Sequence, residues 1–146
     1  MCIRDRAYVR HYTDVSKQCA EKGIDFISMD VIPRTTLAQK MDALSSQANL
    51  AGYKSVLLAA NELRKIFPML MTAAGTIKPA KVVIMGAGVA GLQALGTAKR
   101  LGAVVEVSDV RPAVKEEVKR LDGKFIEVEN DASMQDAGGY AKEASE

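Results

Sequence analysis

The sequence predicts an α/β fold that closes with a parallel sheet, and three observations carry the prediction. An apolar, β-branched run, Lys81 to Met85, leads straight into Gly86-Ala87-Gly88-Val89-Ala90-Gly91. A helical pattern follows from Val89 to Leu101, and a second apolar run from Ala103 to Val107 ends at an acid, Asp109. The succession then repeats, with a helix at Pro112–Leu121 and a strand at Lys124–Val128. Strand, glycine turn, helix and strand at this spacing describe the first β-α-β-α-β half of a Rossmann-type sheet, with strands expected in the order 3-2-1. The end of another α/β domain and a set of linking helices precede it.

The elements before the sheet are justified in chain order. Tyr8, Tyr12, Val15 and Cys19 recur at helical spacing, so Ala7–Glu21 reads as an amphipathic helix that Gly23 stops. Ile24–Met29 reads as a short strand, closed by Asp30-Val31-Ile32-Pro33. From Thr36 the helical period returns, with Leu37, Met41, Leu44 and Ala48 on one face. Gly52 is expected to interrupt that run before a second helix carrying Val56, Ala60, Leu63, Phe67 and Leu70. Pro68 bends or ends this helix, and Gly75 with Pro79 marks the boundary to the sheet. In the helix after Pro112, the buried stripe is expected to be Val114, Val118 and Leu121.

These readings divide the chain into 7–35, the close of an α/β domain; 36–79, linking helices; and 80–146, the first half of the sheet domain. Residues 1–6, Met-Cys-Ile-Arg-Asp-Arg, fit no expected element and read as non-native sequence joined to the rest. With one half of the sheet missing, the first strand should keep an open edge, and the chain reads as a fragment cut at both ends.

Composition narrows the function classes. Hydrophobic residues make up 48% of 146, enough for a globular core. A net charge of +2 with interspersed signs, three Phe, four Tyr and no Trp offer nucleic acid neither a basic surface nor stacking platforms. Cys2 and Cys19 have neither metal-ligand nor disulfide spacing, which suits a reducing compartment, and no metal site is expected. Charges at Arg4, Asp5 and Arg6 break up any leader core, and the weakly polar stretch Val82–Leu95 is too short to span a bilayer. No direct membrane insertion by this segment is expected.

The glycine turn has a stated chemistry. Gly86 permits the tight turn, Gly88 lets the backbone approach a pyrophosphate, and Gly91 lets the helix pack against the strand. Val89 and Ala90 open the helix, whose free N–H groups and positive dipole end face the phosphates. Asp109 stands eighteen residues past Gly91, where its carboxylate can accept hydrogen bonds from ribose hydroxyls and repel a 2′-phosphate. NAD(H) is therefore favoured over NADP(H). Val110 and Arg111 complete this corner, and the Arg111 charge softens the rejection. The competing reading makes Asp109-Val110-Arg111-Pro112 an ordinary turn that caps the next helix.

A second cluster lies between Pro33 and Gln47. Asp42 and Ser45 are three apart and share a helix face. An arginine such as Arg34, held by an aspartate, would offer a fixed fork of donors to a carboxamide, with a serine beside it. A solvated helix face capped at Thr35 or Thr36 explains the same spacing.

Asp30-Val31-Ile32-Pro33-Arg34 and the run from Ala38 to Tyr53 resemble the NAD(H)-binding component of proton-translocating NAD(P) transhydrogenases, the α subunit. Thr72–Lys81, Ala98–Ala103, Asp109–Pro112 and Gly138–Glu143 are similar to that family too, so the resemblance runs from about Gly23 onward. Alanine dehydrogenases share the architecture but resemble the chain less at Ser45–Tyr53 and Gly138–Glu143. The resemblance implies direct hydride transfer, of the Re/Si-specific kind, between NAD(H) held here and NADP(H) held by a partner component. A membrane-spanning partner couples the transfer to proton movement. It further implies that Arg34, Asp42 and Ser45 orient the nicotinamide and that Gln39 reaches toward the NADP(H) partner. A homodimer at the cytoplasmic face of a bacterial inner membrane is implied as well. Alone, the fragment is expected to be inactive. The alternatives are an alanine-dehydrogenase-like oxidoreductase, which needs a lysine and a histidine from upstream, and a redox-sensing module without chemistry.

Direct transfer asks for positioning, with reacting carbons about 3–3.5 Å apart, rather than acid–base groups. In keeping with this, no catalytic dyad is visible, His11 reads as a scaffold residue, and Met41, Met69, Met71 and Met85 read as packing residues.

Overall fold

The computed structural model describes residues 5–7, 13–33 and 35–127, and the chain divides into two units, Met1–Gln47 and Ala48–Glu146. Each is described separately.

The first unit opens with strand β1 (Asp5–Ala7), helix α1 (Thr13–Glu21) and strand β2 (Phe26–Ser28). The two strands pair in parallel, Asp5 with Phe26 and Ala7 with Ser28. Asp5 and Arg6 thus belong to an element, contrary to the expectation that the first six residues fit none; three residues suffice because the ladder is satisfied by β2. The helix is shorter than expected, and its Tyr8 and Tyr12 lie outside the described residues, as does His11. No side chain of α1 is buried. Two single 3-10 turns, Met29–Val31 and Gln39–Met41, follow in place of the helix expected from Thr36. The apolar face expected there is not buried: Leu37 is 94% exposed and Met41 57%.

Helix α2 (Ala43–Glu62) starts in the first unit and continues into the second. It runs straight through Gly52, which was expected to break it. Glycine within a helix costs about 1 kcal/mol relative to alanine, and the reason it stands here is steric: the backbone of a later helix lies against it. Val56 is buried and Ala60 packs on the same core, while Leu63 lies past the helix end and is 46% exposed. Phe67 enters the core without being helical, its carbonyl accepting from Ala80 N–H. Leu70–Thr72 (β3) and Gly75–Ile77 (β4) then form an antiparallel hairpin, so Leu70 is in a strand rather than on the expected helix face, and the hairpin stands where Gly75 suggested only a boundary.

The sheet follows the expected plan. Strands β5 (Lys81–Met85), β6 (Val104–Ser108) and β7 (Lys124–Ile126) are all parallel, with β6 central, so the order 3-2-1 holds. Helix α3 (Val89–Arg100) crosses from β5 to β6, and a 3-10 turn at Pro112–Val114 with α4 (Lys115–Arg120) crosses from β6 to β7. Val128, placed in the last strand by the sequence, and everything after it lie outside the described residues. Leu95, Ala98, Val105, Val107 and Val118 form the driest part of the core. Val114 and Val118 are buried as expected, but Leu121 is 42% exposed because α4 ends one residue before it. Among the described residues β5 pairs only with β6. Its outward residues Val83 and Met85 are correspondingly exposed. On the same face Glu106 accepts from both Lys81 and Lys124, pairs that tie the three strands together and hold its carboxyl below the usual range.

Candidate dinucleotide site

The site is built at the carboxyl ends of β5 and β6. Gly86 turns the chain with φ +98°, a conformation in which side chains are strained. Its N–H donates to the Ser108 carbonyl at 2.7 Å, which ties the turn to the end of β6. A Cβ at Gly88 would meet nothing within 4 Å, so the backbone is bare on the side open to a ligand. At Gly91 the opposite holds: a Cβ would stand 2.9 Å from the Gly86 carbonyl carbon and closer still to its oxygen. Gly86 thus makes the turn and Gly91 the close approach that their spacing suggested, and Gly88 stands bare.

Helix α3 begins immediately after Gly88, a cap with no side chain to offer the first turn. The N–H groups of that turn have no intrahelical acceptor. Their partial positive charge faces the open side of the turn, where it suits a phosphate. Val89 is 38% exposed and Ala90 half-buried at this end.

Asp109 follows β6 and reaches back to the turn. Its Oδ2 accepts from the Ala87 N–H at 2.6 Å, and Oδ1 accepts from the Arg111 backbone N–H at 2.8 Å. The Arg111 guanidinium closes on both oxygens, Nε to Oδ1 and Nη2 to Oδ2, each at 3.0 Å. A carboxylate has about four lone-pair sites, and these four donors fill them. Burial would raise the Asp109 pKa, but the bonds from Arg111 and Ala87 outweigh it and hold the carboxyl below its usual value. The same pairing raises Arg111. Val110, between them, is 37% exposed. The acid is therefore both beside the glycine turn and hydrogen-bonded to it, a link that motif spacing alone did not reveal.

A cofactor of the kind the sequence suggests fits these residues. Open space at Gly88 and a helix start without a side-chain cap lie beside an acid that is bonded to the turn.

The second cluster is partly described. Arg34 lies outside the described residues. Gln39 is exposed at the start of a 3-10 turn. Asp42 and Ser45 do come together: Asp42 Oδ1 accepts from the Ser45 N–H at 2.9 Å, and Ser45 Oγ donates to Asp42 Oδ2 at 2.6 Å. Asp42 directly precedes α2, and its carbonyl accepts the Ser46 N–H, so the pair is also the N-cap of that helix. The cap falls at Asp42 rather than at Thr35 or Thr36, because the intervening residues form a 3-10 turn.

Residues 55–145 match the family model described as alanine dehydrogenase/PNT, C-terminal domain, which is more than half of the chain. An NAD(P) transhydrogenase subunit alpha chain of Rhodospirillum rubrum is 54% identical over 134 residues, covering 90% of this chain and 35% of the relative. The protein of the same name from Rickettsia prowazekii is 48% identical over 138 residues, covering 94% and 36%. The crystal structure of a transhydrogenase from Sinorhizobium meliloti superposes with TM-score 0.80 at 52% identity, covering 87% of this chain and 37% of that one. The chain thus spans about a third of the length of these relatives.

Proposed function

The chain belongs to the alanine dehydrogenase/PNT C-terminal domain family, and on that footing we propose that it is the NAD(H)-holding part of a proton-translocating NAD(P) transhydrogenase. The observation that carries the reading is the Ala87–Asp109 hydrogen bond, which joins a bare, positively polarised turn to a carboxylate that can take ribose hydroxyls in exchange for the Arg111 guanidinium. When bound, the nicotinamide ring donates or accepts a hydride. This chain's residues bind and orient. Backbone N–H groups at Gly88, Val89 and Ala90 hold the diphosphate, and Gly91 keeps α3 tight against β5. Asp109 takes the ribose hydroxyls and disfavours a 2′-phosphate, with Val110 and Arg111 flanking it. Arg34, Asp42 and Ser45 orient the carboxamide, and Gln39 extends toward the component that holds NADP(H). The similarity to chains named transhydrogenase subunit alpha supports a complex with other components; in the proposed reading these are an NADP(H)-binding component and a membrane-spanning component that moves the proton, together with a second copy of this chain. The complex sits with these parts on the cytoplasmic face of the bacterial inner membrane.

Calorimetric titration of the complete polypeptide with NADH and with NADPH tests the reading. Heat with NADH and much weaker binding of NADPH are expected. No heat with NADH would remove the dinucleotide site, and equal binding of both would remove the role given to Asp109. Transfer from NADH to an NADP analogue should then require the NADP(H)-binding component.

A further inference from the structure

The glycine turn is braced by a residue thirty-four positions before it. Gly52 is buried in the middle of α2, and a Cβ there would stand 2.9 Å from the Ala90 carbonyl carbon, 3.0 Å from its Cα and closer again to its oxygen. Ala90 lies in the first turn of α3, between Val89 and Gly91. Two successive residues of that turn are therefore pinned through backbone atoms, Ala90 by Gly52 and Gly91 by the Gly86 carbonyl. Neither contact involves a flexible side chain that would yield. One turn further along α2, Val56 is 5% exposed in the same core as Ala87 and Ala94, and Ala60 packs on it after another turn. Withdrawing α2 to make room at position 52 would open that core. A methyl group at Gly52 must then displace the first turn of α3 itself.

We propose that Gly52 is a positioning residue for the diphosphate: a fourth glycine of the phosphate turn, supplied by α2, which sets where the N–H groups of α3 stand. The proposal rests on the dinucleotide reading of the turn. It predicts a loss greatest for ligands with a diphosphate, because Asp109 is tied to the turn at Ala87, before α3 begins, whereas Gly52 meets Ala90 within the first turn of α3. Overpacking against backbone is relieved only by shifts of the elements themselves, and hydrogen bonds to phosphate lose strength quickly with misalignment.

The test compares ADP-ribose with adenosine on the complete polypeptide. Gly52→Ala is expected to raise the dissociation constant for ADP-ribose about tenfold and to leave that for adenosine nearly unchanged. Val56→Ala, which loosens the same helix without touching Ala90, should lower the melting temperature and weaken both ligands alike. An unchanged ADP-ribose constant in folded Gly52→Ala, an equal loss for both ligands, or the same selectivity in Val56→Ala each overturns the role given to Gly52. Failure of the wild-type protein to bind ADP-ribose instead overturns the dinucleotide site and this role with it. If Gly52→Ala does not fold, hydrogen exchange in the wild type decides. ADP-ribose, but not adenosine, should slow amide exchange in α2 around Gly52, and exchange there that ignores ADP-ribose sinks the proposal.

Discussion

Arg111 grips the Asp109 carboxylate three times, once through its backbone N–H and twice through its guanidinium, with the two side chains only 18% and 5% exposed. With Ala87 as the fourth donor, no acceptor site on Asp109 is left for a sugar. On the proposed dinucleotide reading, ribose hydroxyls would exchange with the guanidinium, and that exchange would set the terms on which a 2′-phosphate competes. Replacing Arg111 by alanine frees two acceptor positions and exposes the full negative charge. The ratio of NADPH to NADH dissociation constants should rise about tenfold, since Coulomb repulsion at close range is no longer offset. Calorimetry with both nucleotides checks this; an unchanged ratio would mean that Arg111 only shapes the loop.

The ion pair also has a pH signature. The folded pKa of Asp109 is depressed, so its contribution to stability is present above the unfolded value of about 3.9 and is lost as pH falls through the folded value. The melting-temperature difference between wild type and Asp109→Asn should be constant from neutral pH down to about pH 5 and shrink below about pH 4. A difference that persists unchanged into stronger acid would show that the charge on Asp109 contributes nothing.

Gly91→Ala should be the most damaging change in the turn. The new methyl group enters the Gly86 carbonyl, where no side chain can move aside. Destabilisation of about 1–3 kcal/mol is expected from overpacking, together with loss of NADH binding. Gly88→Ala meets open space in the free protein, so it should keep its stability and lose binding only. Thermal unfolding beside NADH titration separates the two, and equal stability losses would be wrong for this geometry.

Asp42 is expected to act twice, as the cap of α2 and in orienting the nicotinamide. Asp42→Ala should cost about 0.5–2 kcal/mol of stability as an N-cap loss. Ser45→Ala leaves the Ser45 N–H to Asp42 bond in place and should cost less. In the assembled enzyme both variants, like Arg34→Ala, should slow single-turnover hydride transfer more than they weaken NADH binding. Equal effects on rate and affinity would reduce the cluster to a binding contact or a cap.

The sheet and its turn were legible because their information is local. A β-branched run, three glycines with separate steric duties, and an acid at the next strand end each state their own requirement, so Lys81–Met85 and the order 3-2-1 emerged unchanged from the sequence. The stretch between Thr36 and Pro79 was harder, since its pattern mixes helix periodicity with packing that depends on distant residues. Leu37, Met41 and Leu63 repeat like a core stripe and are exposed, whereas Phe67 is buried from an irregular segment. Gly52 is the clearest case: by propensity it marks a helix end, and only the Ala90 carbonyl lying against it explains why the helix continues. By itself the sequence determined the α/β class, the glycine turn and the choice of acid beside it. The tertiary structure alone decided which partners claim that acid and which glycine of a helix must stay bare, because hydrogen-bond saturation and steric overlap exist only between residues that folding has brought together.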